Sequence, residues 1–288
     1  MSLPDAFDPA PAPPAEPMHG AEPVLAVRGL ARSYGDTLAV AGLDFELYAG
    51  EILGLVGPNC AGKTTTLRTL SGVLPIQVGE VHIAGWDLAR EELFAKRELA
   101  WVPDDPRPFE SLSVFEHLEW TAALYRVPAW RPRAEELLVA FDLKAKQHAL
   151  GGELSRGMRQ KLSLAMAWLP RPKLVLMDEP LSGLDPLGIR AAKRSLLSLA
   201  AEGTAIVLSS HQLGLVEELA SRLLVLSQGK AVFQGTLAEA RGRVAAGAAS
   251  IRTLEDLFLE WTAVDGDAVI EPADLTPLAE RDGSPPAP

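Results

Sequence analysis

A glycine-rich segment carries the clearest chemistry in the sequence. It runs from Gly57 to Thr64, directly after the apolar run Ile52–Val56 and at the start of a helix predicted over Thr64–Leu74. In a strand–GxxxxGK(S/T)–helix arrangement, backbone N–H groups turn toward a phosphate, the lysine reaches the β- and γ-phosphates, and the hydroxyl ligates Mg²⁺. We therefore predict a nucleoside triphosphate site with Lys63 on the phosphates; a plain glycine-rich turn is the alternative. The nucleotide contacts predicted in this segment are Gly57, Pro58, Asn59, Cys60, Ala61, Gly62, Lys63, Thr64 and Thr65.

Two carboxylates follow another apolar run. Asp178 and Glu179 come directly after Leu174–Met177. Because α/β proteins bind ligands at the carboxyl ends of parallel strands, we expect both side chains at the nucleotide. Asp178 suits a water-mediated contact with Mg²⁺, whereas Thr64 suits a direct one. Glu179 suits the general base that polarises the attacking water. An acidic helix N-cap is the alternative for this pair.

The elements that must position these groups alternate between strands and helices. Three runs, 52–56, 174–177 and 205–208, have almost no polar residues, which is typical of central parallel strands covered on both faces. Residues 112–169 instead have helical patterns, predicted as helices at 112–125, 132–143 and 155–169. The predicted strands are Val24–Arg28, Asp44–Tyr48, Ile52–Val56, Leu99–Val102, Leu174–Met177, Ala205–Leu208, Leu223–Leu226 and Ala231–Gln234.

Composition narrows the class of protein. Among 288 residues, 27 Lys and Arg stand against 38 Asp and Glu, and the net charge of −11 weighs against a broad nucleic-acid footprint. The single cysteine, Cys60, excludes a disulfide framework and a thiolate zinc site. No run approaches the roughly 18–20 apolar residues of a membrane span, and no secretory signal pattern is visible. Composition therefore predicts an acidic, soluble, intracellular protein.

The order of five motifs resembles the ATP-binding subunit of ABC (ATP-binding-cassette) transporters. The similarity covers residues 24–263 and is greatest to the single-cassette ATPases of bacterial export systems, whose membrane subunits are separate chains. It implies an α/β fold: a P-loop NTPase core with a mostly parallel sheet, an antiparallel β region at its N-terminal side and an inserted α-helical subdomain. The motifs are Gly57–Thr64, Leu154–Met158, Asp178–Glu179, Ser182–Asp185 and Ser210–His211.

The resemblance also divides the chain. It implies an ABC ATPase domain at 23–236, with the helical subdomain at about 105–170, and a C-terminal helical extension at 237–263. Residues 1–22, rich in Pro and Ala, and residues 264–288 are predicted to be disordered tails because they have too few large apolar side chains to offset the entropy cost of ordering. The helix predicted at 254–263 could pack on the core or support dimerisation.

The segment Leu154–Met158 matches the family's LSGGQ signature. Ser155 and Gly157 are retained, and the resemblance implies that they face the γ-phosphate of ATP bound to a second copy at a positive helix end. Arg156 and Met158 depart from the signature. Taken alone, Ser155 would be an ordinary helix cap.

Three further residues take their roles from the resemblance. His211 matches the switch histidine, which hydrogen-bonds the γ-phosphate, whereas a lone histidine after a strand is more often structural. Asp185 matches the loop that crosses the dimer interface; its alternative is an Asp-Pro turn before a helix. Tyr34 matches the aromatic residue that stacks on adenine; its alternative is a surface hairpin tyrosine. The implied catalytic residues are thus Lys63, Glu179 and His211.

Two positions depart from the family pattern near the phosphates. Asp104 stands where glutamine is common, and we interpret it as a variant of the same sensor of Mg²⁺ and attacking water. Cys60 stands where glycine is usual, and at positive φ a Cβ would cost about 1 kcal/mol. We expect Cys60 either to weaken nucleotide binding or to make the site sensitive to thiol modification.

The resemblance implies an ATPase that uses ATP and Mg²⁺. Two copies, or one copy and a paralogous subunit, would close head-to-tail over two ATP molecules and drive substrate movement, in the export direction, through a separate multi-span permease. The chain would then lie peripherally on the cytoplasmic face of the inner membrane, with no nucleic-acid partner. The permease's coupling helix would enter a groove near Asp104, which Phe109, Trp120 and Trp130 could line, although large aromatics on helices are more often core.

Two other classes remain as alternatives. One is a non-transport ABC ATPase associated with ribosomes or DNA, although such proteins usually have paired cassettes, coiled-coil insertions or basic arms. The other is a P-loop kinase, which ATP hydrolysis without an acceptor would distinguish.

Overall fold

The computed structural model describes residues 22–246 and 253–262. The tail predicted at 264–288 and all but the last residue of the tail predicted at 1–22 lie outside the described residues, so disorder there stays a prediction. The strands are β1 (Leu25–Tyr34), β2 (Thr37–Leu47), β3 (Ile52–Val56), β4 (Val78–Ile83), β5 (Trp86–Asp87), β6 (Leu99–Val102), β7 (Leu174–Asp178), β8 (Ala205–Ser209), β9 (Arg222–Ser227) and β10 (Lys230–Thr236). The helices are α1 (Lys63–Leu70), α2 (Glu92–Arg97), α3 (Val114–Tyr125), α4 (Trp130–Ala140), α5 (Arg156–Trp168), α6 (Pro186–Ala201), α7 (Leu213–Leu219), α8 (Leu237–Ala246) and α9 (Leu254–Thr262).

The larger sheet has six strands in the order β10-β9-β3-β8-β7-β6. All of its neighbours pair in parallel except β10, which runs antiparallel to β9. Every residue of β3, β7 and β8 is buried, because alternate side chains enter two separate cores. In β3, for example, Ile52 and Val56 join one core while Leu53 and Leu55 join the other. The uniformly apolar runs therefore form central strands, as predicted.

The smaller sheet is antiparallel and lies at the N-terminal side, in the order β2-β1-β4-β5. Strands β4 and β5 were not predicted, because only Val81 and Ile83 of β4 are buried and the segment contains Gly79. What makes β4 a strand is its pairing with β1, in which Leu25 lies opposite Ile83. Strand β1 also continues beyond the predicted end at Arg28, through several register shifts, to Tyr34.

The inserted helical region lies between β6 and β7 and contains α3, α4 and α5, which confirms the predicted fold class. Helix α3 begins at a capping box, in which the Ser113 hydroxyl accepts from the Glu116 N–H and the Glu116 carboxylate accepts from the Ser113 N–H. Helix α1 ends at Leu70, four residues before its predicted end at Leu74. It stops there because Gly72, two residues later, takes a positive φ of 67°, which is typical of a residue that follows a helix C-terminus. Among the described residues, no helix has the length and apolar character that crossing a membrane requires.

The last helix, α9, packs on the core, which is one of the two alternatives for this segment. Leu254 and Leu257 are buried, and the Trp261 ring lies parallel to the Phe233 ring on β10 with centroids 4.4 Å apart. The helix thereby covers apolar surface at the β10 edge of the larger sheet.

We predict that Trp261→Ala lowers the free energy of unfolding by about 1–3 kcal/mol, because it removes a partly buried ring that stacks on Phe233. Urea unfolding of the full chain measures this loss. Leu259→Ala is the matched control, since that side chain on the same helix is exposed. A loss in Trp261→Ala no larger than that in Leu259→Ala would contradict a stabilising role for the Trp261–Phe233 stack.

Candidate functional site

An open cleft of about 780 Å³ lies where β3, β7 and β8 end. The strand register explains this convergence: Ser209 at the end of β8 pairs with Leu55 of β3 on one side and with Asp178 of β7 on the other. The cleft brings together twelve of the predicted site residues: Tyr34, Asn59, Cys60, Ala61, Gly62, Lys63, Thr64, Thr65, Asp104, Asp178, Glu179 and His211.

The glycine-rich loop wraps closely against neighbouring backbone. Gly62 has φ 102°, and a Cβ there would overlap the carbonyl oxygen of Ala39. A Cβ on Gly57 would lie 2.5 Å from the carbonyl oxygen of Leu226. Only glycine fits at these two positions. Cys60 also has positive φ, 65°, but it has a side chain, which is exposed in the cleft.

Lys63 is folded into this loop. Its Nζ donates to the carbonyl oxygens of Gly57 at 2.7 Å and Pro58 at 3.0 Å, so these two predicted residues contribute through their backbone. Burial lowers the pKa of the Lys63 amine, while the carboxylates of Glu179 and Asp178 act in the opposite direction. A lysine at the start of α1, beside the N–H groups of the first turn, is a site for anions such as phosphates.

Asp178 is held in one orientation by its neighbour on β8. The Ser209 hydroxyl donates to Oδ1 of Asp178 at 2.6 Å, and only 4% of Asp178 is exposed. A second hollow joins Asp178 to Thr64 and Asp104.

The described residues hold no group of three or more His, Cys, Asp and Glu side chains that could bind a metal by themselves. One hydroxyl and one or two carboxylates instead fit an ion that takes its remaining ligands from phosphate oxygens and water, as Mg²⁺ does.

Glu179 and His211 are in direct contact. One carboxylate oxygen of Glu179, Oε1, lies 2.9 Å from both the backbone N and the ring Nδ1 of His211. Glu179 takes a positive φ of 46°, which is strained for a residue with a side chain, and its own N–H donates to the Ser209 carbonyl. Strain of this kind is typical of functional sites. Neither Glu179 nor Asp178 caps a helix, because the N-cap of α6 is Asp185.

Tyr34 lies in the β1–β2 hairpin and also lines the cleft, so both descriptions of this residue apply. Its ring is about half exposed, and the Arg32 guanidinium lies 5.1 Å from the ring centroid. Hydrogen bonding to Arg32 lowers the pKa of the Tyr34 hydroxyl, against a smaller opposing effect of burial, with Thr65 adding to the lowering.

Besides Gly57 and Pro58, three predicted residues do not line the cleft. Ser155 is the N-cap of α5, its hydroxyl accepting from the Met158 N–H at 3.3 Å, and Asp185 accepts from the Gly188 N–H at 2.6 Å. Gly157 lies against Gly183, where a Cβ would come 2.9 Å from the carbonyl oxygen. Ser155 and Asp185 are exposed, and the predicted contact of all three with a second copy stays a prediction.

The cleft also includes residues that sequence reasoning missed. Most lie on β2 or in the β9–β10 turn and reach the site only through the sheet, so no local motif identifies them. Arg156 was noted only as a departure from the signature, and nothing in its neighbourhood predicts that it lines this cleft. The additional lining residues are Thr37, Leu38, Ala39, Arg156, Ser182 and Gln228.

Comparison with known proteins agrees with this geometry. The model of the ABC transporter family matches residues 40–182, which contain the glycine-rich loop and both carboxylates. The ABC-type transporter ATP-binding protein EcsA of Bacillus subtilis (strain 168) is 31% identical over 244 residues, which are 84% of this chain and 98% of EcsA. The Nod factor export ATP-binding protein I of Ralstonia nicotianae is 35% identical over 224 residues, 77% of this chain and 70% of that relative.

A solved structure of the ATP-binding subunit of an ABC transporter has the same fold. It superposes with a TM-score of 0.78 at 32% identity, and the match covers 83% of this chain and 99% of that one. Across the relatives compared, the chain spans from 62% to 98% of their own lengths. The chain therefore belongs to the family of ABC transporter ATP-binding subunits and is an ATPase.

Proposed function

We propose that the chain binds MgATP in this cleft and couples its hydrolysis to transport, in the export direction, by a separate membrane subunit. The observation that carries the proposal is the Glu179–His211 contact, because it lies in the cleft that Lys63 also lines. No described helix could itself cross a membrane, and the Ralstonia relative is named for export.

The binding step uses groups that are already in place. The Lys63 ammonium exchanges its two loop carbonyls for phosphate oxygens, and the α1 N-terminus adds backbone N–H donors. Tyr34 supplies a half-exposed ring for the base. Thr64 and Asp178, with Asp104, would hold Mg²⁺, which when bound neutralises charge on the phosphates.

The hydrolytic step needs a base at the attacking water. Glu179 accepts a proton from that water as the water oxygen bonds to the γ-phosphorus. The bond between the γ-phosphorus and the oxygen that bridges to the β-phosphate breaks, and ADP leaves. His211 orients the Glu179 carboxylate through its backbone N–H and its ring. These roles for Lys63, Glu179 and His211 explain why the fold positions them at one edge.

A second copy of the chain is part of the proposal. The exposed Ser155 stands at the positive end of the 13-residue helix α5, and Asp185 is exposed nearby at the start of α6. A phosphate of ATP bound to a facing subunit would accept hydrogen bonds from the backbone N–H groups in the first turn of α5. A paralogous subunit could supply the same surface.

The inserted helical region is the proposed contact with the permease. Phe109 and Trp120 are exposed, 53% and 42%, and pack edge-to-face with centroids 5.3 Å apart. Trp130 instead packs against Phe115, 5.4 Å between centroids. Docking there would place the chain peripherally on the cytoplasmic face of the membrane.

We expect Glu179→Gln to reduce phosphate release by at least about 100-fold, because the base is lost while the phosphate contacts remain. A fluorescent ATP analogue should bind it as tightly as it binds the wild type. Glu92→Gln on α2 is the control, since that exposed carboxylate pairs with Lys96. Unreduced hydrolysis in Glu179→Gln would contradict the assignment of the base.

We expect Cys60→Gly to raise ATP affinity several-fold, because it removes an exposed side chain from the cleft while glycine readily takes the observed φ of 65°. Iodoacetamide should inactivate the wild type, and ATP should protect it. Since Cys60 is the single cysteine, the Cys60→Gly variant is its own control for alkylation elsewhere. If affinity and alkylation sensitivity both stay unchanged, the expected effect of Cys60 is wrong.

The transport coupling is tested by affinity purification of tagged Glu179→Gln protein from detergent-solubilised native cells. With MgATP we expect a multi-span membrane protein to co-purify, and with Lys63→Ala in addition we expect it to be lost. Recovery of ribosomes or DNA-bound proteins instead would favour a non-transport ABC ATPase.

A further inference from the structure

Two of the residues that depart from the family pattern, Asp104 and Arg156, face each other. Asp104 follows β6 and Arg156 begins α5, yet the Arg156 guanidinium lies 3.6 Å from Oδ1 of Asp104. Both side chains line the nucleotide cleft, and about half of each is exposed. A neutral glutamine and a glycine at these positions could not form this ion pair.

The guanidinium has a second partner in the cleft. Its terminal nitrogen donates to the Ser182 hydroxyl at 3.0 Å, and its side chain lies over Gly183, where a Cβ would come 3.2 Å from Arg156 Cδ. The arginine therefore spans from the loop after β7 to the loop after β6. Contacts with both loops orient this half-exposed side chain.

The Asp104 carboxylate also faces the two groups that fit a metal. Asp104, Thr64 and Asp178 line one hollow. The Arg156 guanidinium lies beside one carboxylate oxygen of Asp104, and its positive charge would repel a dication that enters the same hollow. Arg156 and Mg²⁺ are thus competitors for Asp104.

We propose that Arg156 is a positioning residue, which holds the Asp104 carboxylate in the subunit without nucleotide and competes with Mg²⁺ for it. The pair then sets how strongly nucleotide binding depends on the metal. This inference rests on the proposed function of the cleft as a MgATP site.

The test is the dissociation constant of ATP, measured by calorimetry on the full chain with Mg²⁺ and with EDTA. In Arg156→Gln, Mg²⁺ no longer meets the repulsion of the guanidinium, so MgATP should bind more tightly relative to free ATP. ATP without the metal loses the attraction of the positive charge of Arg156, so it should bind more weakly. The ratio of Kd in EDTA to Kd in Mg²⁺ should therefore rise about two- to fivefold, the range for an exposed ion pair. Arg107→Gln is the control, because it removes an equal charge from a side chain that lines this hollow but pairs with Asp105 and not with Asp104.

Repeating the substitution in Asp104→Asn separates competition from simple charge. If the two residues act as a pair, Arg156→Gln changes the ratio in that background no more than Arg107→Gln does. An equal rise in both backgrounds, or no rise in either, would overturn the inference while leaving the proposed function intact. A wild-type chain that binds no MgATP would overturn both.

Discussion

The burial of three adjacent parallel strands on both faces is the constraint on which the cleft depends. Because every side chain of β3, β7 and β8 is buried, their order and register are fixed, and a slip by one residue would exchange the two cores. Their carboxyl ends carry the glycine-rich loop, the carboxylates and the segment of His211. Ser209 connects them, since it pairs with β3, bonds to Asp178 and accepts from Glu179. Chemistry at this edge is therefore a consequence of core packing.

The cleft holds its charges in arrangements that a nucleotide would change. Lys63 is satisfied by two carbonyls of its own loop, Asp178 by a serine, Glu179 by a histidine and Asp104 by an arginine. The buried Lys63 and Asp178 need such partners, because an unpaired buried charge costs several kcal/mol. Phosphates would compete with the loop carbonyls for Lys63, and a metal would compete with the present partners of Asp178 and Asp104. Binding is thus an exchange of contacts, which makes the local rearrangements around Lys63 and Arg156 part of one event.

The sequence predicts the parts of this protein that local patterns control. The glycine-rich loop, the buried central strands and the carboxylates after β7 each have a motif, and the structure brings them together. Strand β4 has none: Gly79 breaks its apolar pattern, and pairing with β1 makes it a strand. The Arg156–Asp104 pair is similarly invisible, because it exists only once α5 has docked against the loop after β6. Contacts between distant segments are what sequence reasoning lacks.

A crystal structure of Glu179→Gln with MgATP tests the central claim most directly, which is that this edge of the sheet is the nucleotide site. We expect the β- and γ-phosphates on Lys63 and the α1 N-terminus, the metal beside Thr64 and Asp178, and the base against Tyr34. Ser155 of a second copy should face the γ-phosphate. A nucleotide bound elsewhere on the chain, or phosphates that leave Lys63 on its own loop carbonyls, would contradict the account.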